Sequence, residues 1–159
     1  GPEVLVNGDA GGPQVQPDIA MTDGGAHAVV WQSGGEIFLQ RYGADGTAVK
    51  GDQDAALDTD IKGGHAMPAV GAPATGGGFF AAAWENGDGS VSGRFMGEAS
   101  GFLFNSIDGT SGSFLASHPG ITGLRHRPAV AVSTYVAFGW QDDSDTHPGV
   151  YVRRFPVPK

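Results

Sequence analysis

The chain has 159 residues, with 9 Lys+Arg against 17 Asp+Glu and a formal net charge of −8. That balance repels phosphate backbones, and the one basic cluster, Arg125-His126-Arg127, is too small to make a nucleic-acid surface. The absence of cysteine excludes disulfides, zinc–thiolate sites and a cysteine nucleophile.

Glycine is abundant at 28 residues and proline adds 10, which predicts many short strands joined by tight turns. No window keeps apolar residues at helical spacing for three turns, and no apolar run of about twenty residues suggests membrane insertion. The opening Gly1-Pro2 reads as a protease scar. After it, "EVLVNG" (residues 3–8) looks like a fourth strand lacking its own unit.

The next stretches come in threes. Proline leads an apolar run at Pro17, Pro68 and Pro128, and a turn follows at Asp23-Gly24-Gly25, Gly76-Gly77-Gly78 and Ser133-Thr134. A strand then ends in tryptophan: "AHAVVW", "FFAAAW" and "YVAFGW". A variable loop leads to "IFLQRY", "VSGRF" and "VYVRRF". Self-similarity at a period near fifty residues marks a repeat architecture.

With side chains alternating along a strand, Val29 and Trp31 share one face, and Ala28 and Val30 the other. Ala82 with Trp84, and Phe138 with Trp140, repeat the pattern. Both faces are apolar, so this strand is expected to be buried on both sides. The third strand would place Arg41, Arg94 and Arg154 on one face, with Tyr42, Phe95 and Phe155 on the other. Fourth strands are expected at residues 53–57 and 102–105. The excess length at residues 111–123 reads as an inserted loop.

These features predict an all-β chain forming one repeat domain over residues 3–157. Its units span roughly 10–58, 59–107 and 108–157, with residues 3–8 completing the last unit in the same molecule or a neighbour. The expected architecture is three repeated four-stranded antiparallel sheets in a propeller-like half-ring. That half-ring would close through the N-terminal strand or by dimerisation; a β-prism or β-trefoil is the alternative.

The run "PDIAMTDGGAHAVVWQSGGEIFLQRYGADGTAV" resembles the repeats of large secreted bacterial surface proteins, including RTX-type adhesins and related exoproteins. The motifs that carry the likeness are Pro17, Asp23-Gly24-Gly25, Val29-Val30-Trp31, Gln40-Arg41-Tyr42 and Asp45-Gly46. The second and third copies depart from it, with Gly93 in place of the glutamine and Ser133-Thr134 in place of the turn glycines. The resemblance implies blade-like units and a secreted, extracellular bacterial setting. The calcium-binding glycine-aspartate nonapeptides of RTX proteins are absent.

Two functions from different classes follow. One is a non-enzymatic extracellular binding module for a glycan or cell surface, in an adhesin-like protein. Its candidate ligand-binding residues are Trp31, Arg41, Trp84, Arg94, Trp140 and Arg154, since indole faces stack on sugar rings and guanidinium groups bond hydroxyl pairs. The same residues also read as core anchors, the arginines pairing with an aspartate of an adjacent unit. The other function is a structural, self-assembling repeat that forms a homo-oligomer through edge strands. A glycan-active enzyme ranks below both, because no catalytic motif is present. Calcium is the one cofactor the acidic turns suggest, with Asp142, Asp143 and Asp145 the densest cluster of oxygen ligands.

Overall fold

A computed structural model describes residues 1–8, 11–53, 55–58, 64–76, 78–98, 112–118 and 124–158. Among these the fold is all-β, without a helix. The strands are β1 (Gln14–Met21), β2 (His27–Ser33), β3 (Glu36–Tyr42), β4 (Ala55–Ala56), β5 (His65–Gly71) and β6 (Phe79–Asn86). They continue with β7 (Val91–Gly97), β8 (Phe114–Leu115), β9 (Arg125–Val132), β10 (Tyr135–Asp142) and β11 (Gly149–Pro156).

Three antiparallel sheets result, ordered β1-β2-β3-β4, β5-β6-β7-β8 and β9-β10-β11. The first two have four strands and the third has three, and the first strands of successive sheets pack side by side. This is the propeller-like half-ring that the repeats predict.

The aligned prolines have a structural cause. Gln16, Met67 and Arg127, each immediately before one of them, have left-handed backbone at φ 54°, 50° and 52°. The ladder shifts register at each of these steps. Proline has no N–H to offer a ladder, so each X-Pro step carries a β-bulge that bends the first strand.

Every sheet has a face toward the sheet before it and a face toward the sheet after it. Cross-strand partners share a face, so the pairings sort the side chains. Sheet one turns Ala28, Val30, Leu39 and Arg41 toward sheet two, which answers with Phe80, Ala82, Trp84 and Met96. The far side of sheet two presents Phe79, Ala81, Ala83 and Phe95 to Val136, Phe138, Trp140 and Phe155 of sheet three. Sheet two is thus buried on both sides. Small residues bring the strands close: a Cβ on Gly71 would lie 2.9 Å from Val130 Cγ1 and 3.1 Å from the Val130 carbonyl oxygen.

Three expectations change. The pairings equate Arg94 with Gln40 and Arg153, and Arg41 with Phe95 and Arg154. The turn after Trp84 is one residue longer than that after Trp31, so counting from the tryptophan misplaces Arg94 by one position and one face. Second, sheet two draws its fourth strand from Phe114–Leu115, beyond the unit boundary expected at residue 107 and inside the stretch read as an insertion. Phe114 fits there because Gly93 leaves room: a Cβ on Gly93 would meet the Phe114 ring at 3.0 Å. The strand expected at residues 102–105 lies outside the described residues, as do 111 and 119–123 of the expected insertion and Asp54 of the first expected fourth strand.

Third, residues 3–8 form no strand in the isolated chain. Val4, Leu5 and Val6 instead line a cavity of about 370 Å³ with Gln40 and Tyr42 of sheet one. Among the described residues their backbone joins no ladder, and sheet three has three strands.

Candidate functional site

The sheet-to-sheet joints and the two end faces carry the chemistry. Arg41 is buried, its Nε 2.6 Å from Asp52 Oδ2 and its Nη2 2.7 Å from Oδ1, a bidentate pair. The Arg41 N–H also donates to Asp52, and Nη1 crosses to the Gly97 carbonyl of sheet two at 2.5 Å. Asp52 belongs to the same unit as Arg41 rather than to the adjacent one. Arg94 reaches the other way and donates through Nη1 to the Leu57 carbonyl of sheet one. Arg153 does the same across the next joint, to the Ala116 carbonyl at 3.3 Å. Guanidinium groups therefore tie each sheet to its neighbour.

The tryptophans occupy one repeated position, facing the preceding sheet. Trp84 and Trp140 are buried in the two joints, and their indole N–H groups have no acceptor among the described residues. Trp31 lies on the outer face of sheet one, stacked on Phe38 at 5.9 Å, and donates to Gln14 Oε1 at 2.8 Å. The residues aligned with Gln14 are His65 and Arg125, whose partners are Asn86 with Asp58, and Asp142. This substitution takes the indole acceptor away. Arg154 lies on the outer face of sheet three, over the Tyr135 ring at 5.1 Å. Of the six candidate ligand residues, four are fixed in joints and two, Trp31 and Arg154, stand on opposite ends of the molecule. They do not converge on one pocket.

The acidic cluster is likewise dispersed. Asp142 is buried, its Oδ2 3.2 Å from Arg125 Nε and its Oδ1 accepting the Ser144 N–H at 2.9 Å. Burial alone would raise its pKa, but the Ser144 hydroxyl and N–H and the Arg125 guanidinium outweigh that and hold it below the usual carboxylate range. Asp143 accepts from Gln141 at 2.6 Å, and Asp145 is exposed. Among the described residues no three His, Asp or Glu are grouped to hold a metal ion, and no helix is long and apolar enough to cross a membrane.

A cleft of about 310 Å³ between sheets two and three is lined by Met67, Glu85, His126, Arg127, Gln141 and Asp143. His126 stands between two carboxylates, with Nδ1 3.4 Å from Glu85 Oε2 and Nε2 3.9 Å from Asp143 Oδ2. Glu85 Oε1 also accepts the Arg127 N–H at 2.6 Å. Sequence reading missed Glu85, Asp143 as a cleft residue, and Asp52 as the partner of Arg41. The one available signal for Glu85 was its place directly after Trp84, where the other copies have Gln32 and Gln141.

The end faces repeat the joints without their partners. Ile19 and Met21, on the outer face of sheet one, are each 59% exposed, whereas the aligned Val70 is 7% exposed. On the outer face of sheet three, Val150 and Val152 are 87% and 70% exposed, whereas Val91, aligned with Val150, is fully buried. The fold and these surfaces define an all-β repeat protein of stacked, propeller-type sheets. No protein-family model and no curated protein matches the chain.

Proposed function

We propose that this chain is a non-enzymatic self-assembly module, half of a ring completed by a second copy. The observation that carries this reading is the equivalence of its end faces to its own internal joints. Sheet three offers Ala131, Gly139, Val152 and Arg154, the positions that Gly71, Ala83, Gly93 and Phe95 fill in sheet two. Sheet one offers Ile19, Met21 and Val29, the positions of Val70, Ala72 and Ala82, while Trp31, at the position of Trp84, is already only 5% exposed in the single chain. Arg154 also aligns with Arg41, and the acceptor aligned with the Gly97 carbonyl is that of Gly43. A head-to-tail contact would give Arg154 the partner that Arg41 has inside the chain. Two copies of three sheets make six blades, within the range of closed propellers, and the contact is heterologous.

Size-exclusion chromatography with light scattering tests this reading. Dimers are expected, with Val152→Glu and Ile19→Glu each giving monomers. Mixing the two variants restores a dimer, because one intact face from each partner remains. A wild-type monomer at the highest soluble concentration, or loss of association with only one of the two variants, contradicts it.

A second reading is supported by the Glu85–His126–Asp143 cleft. Two carboxylates and a glutamine amide suit the hydroxyl pairs of a glycan, and a secreted module recognising a cell surface would use this cleft instead of the tryptophans. Binding on a glycan array that disappears in Glu85→Gln is the expected result; equal binding by the variant speaks against the cleft.

A further inference from the structure

Sheets one and two each end in a short fourth strand with the same chemistry. Ala55-Ala56-Leu57-Asp58 and Phe114-Leu115-Ala116-Ser117 set three apolar residues before a polar one. The third residue donates its N–H to the strand beside it, Leu57 to the Ile37 carbonyl at 2.7 Å and Ala116 to the Val91 carbonyl at 2.8 Å. The fourth accepts through its side chain from that same residue: Asp58 from the Ile37 N–H and Ser117 from the Val91 N–H, each at 3.1 Å.

Among the described residues sheet three has the receiving strand and no fourth one. Its outer strand β11 pairs there with β10 alone, and Val150 aligns with Ile37 and Val91. Elsewhere the chain holds one described segment of the right pattern without a ladder, Val4-Leu5-Val6-Asn7, with Val4 71% and Leu5 78% exposed. This segment lies beside Gln40 and Tyr42, which are on the face of sheet one turned away from sheet two. In the head-to-tail ring that face meets the neighbour's sheet three.

From this placement we infer that residues 4–7 of one copy add to β11 of a second copy as the fourth strand of its sheet three. The register follows from the other two sheets. Leu5 stands opposite Tyr151 and Val4 opposite Val152, as Ala56 stands opposite Phe38 and Ala55 opposite Leu39. The Val6 N–H donates to the Val150 carbonyl, and the Asn7 side chain accepts the Val150 N–H. Strand addition of this kind draws its affinity from main-chain bonds. It also covers an edge that would otherwise be open to unspecific pairing.

The inference rests on the assembly reading, and the test separates the two. Leu5 and Tyr151 would form a non-hydrogen-bonded pair, whose short Cα separation suits a disulfide, and the chain has no other cysteine. The Leu5→Cys/Tyr151→Cys protein is expected to oxidise to a covalent dimer, while Leu5→Cys/Val150→Cys, one residue out of register, does not. In the full chain, Val6→Pro removes the N–H that completes the ladder and raises the dimer dissociation constant about tenfold or more. A wild-type dimer whose Leu5/Tyr151 variant stays uncross-linked overturns strand donation and leaves the face-to-face assembly standing. Cross-linking within a monomer assigns the strand to its own chain and overturns donation between copies. A wild-type monomer removes both proposals.

Discussion

Sheet two and sheet three are built from one repeat and live in different surroundings. Ala81, Ala83, Trp84, Val91 and Phe95 of sheet two are fully buried. On sheet three, the face equivalent to that of Ala81, Ala83 and Phe95 carries exposed Val150 and Val152. None of the described residues covers these valines, yet they are apolar, and the aligned Ala131 and Gly139 are small. The difference teaches that the repeat writes a two-sided sheet whether or not a neighbour is in the same chain. Its end sheets have the composition of an interior, which is what the proposed assembly would use.

That contrast predicts unequal costs for substitutions on the two sheets. The largest is at Phe95, whose ring packs on Phe79, Phe114 and Phe138. Phe95→Ala should cost about 3–5 kcal/mol in urea denaturation, whereas Val152→Ala on the open face should stay within about 0.5 kcal/mol for the monomer. Comparable losses would mean that sheet three is already covered.

The arginines sharpen the same point. Asp52→Ala strands Arg41 in a buried site and should cost about 3 kcal/mol. Arg154→Met, at the aligned position of sheet three, should leave monomer stability nearly unchanged and weaken only association. Next comes Gly71→Ala, which drives a methyl into Val130 and should cost about 1–3 kcal/mol. Ala131→Val, at the aligned position of sheet three, should be tolerated in the monomer and impair assembly.

Much of this architecture was readable in the residues. The prolines, the tryptophan-bearing strands and the two apolar faces led to three stacked sheets, although each such strand runs two residues past its tryptophan. The phase of the third strand was not readable, because a turn one residue longer moves Arg94 to the opposite face and no local signal shows it. The fourth strand at Phe114–Leu115 was missed because two residues carry no periodicity; its place is set by the space over Gly93. The cleft was not legible either. Glu85, His126 and Asp143 are far apart in sequence, and only the packing of sheet two on sheet three brings them together. Asp52 could be found only by asking what a buried guanidinium needs.

The smallest effects concern pH, and they differ in sign between the joints. Asp58 accepts the Ile37 N–H and lies 3.5 Å from His65 Nε2. Burial nonetheless pushes its carboxyl above the ordinary value of 3.8, with Glu36 adding to the rise. A raised folded-state pKa gives a contribution that is complete below the unfolded value and is lost as pH rises through the folded one. Ser117 makes the equivalent bond without a charge, so Asp58→Ser should gain stability relative to wild type as pH rises from about 4 toward neutrality. Asp142 behaves in the opposite way. Its lowered pKa gives a contribution present above the unfolded value and lost as pH falls through the folded one, so Asp142→Asn should lose ground relative to wild type as pH rises toward about 4 and hold level above it. Urea midpoints relative to wild type should therefore fall for Asp142→Asn as pH rises toward about 4, and rise for Asp58→Ser above it. Parallel curves would mean that the charges of Asp58 and Asp142 meet the same environment, and that the two joints are not electrostatically distinct.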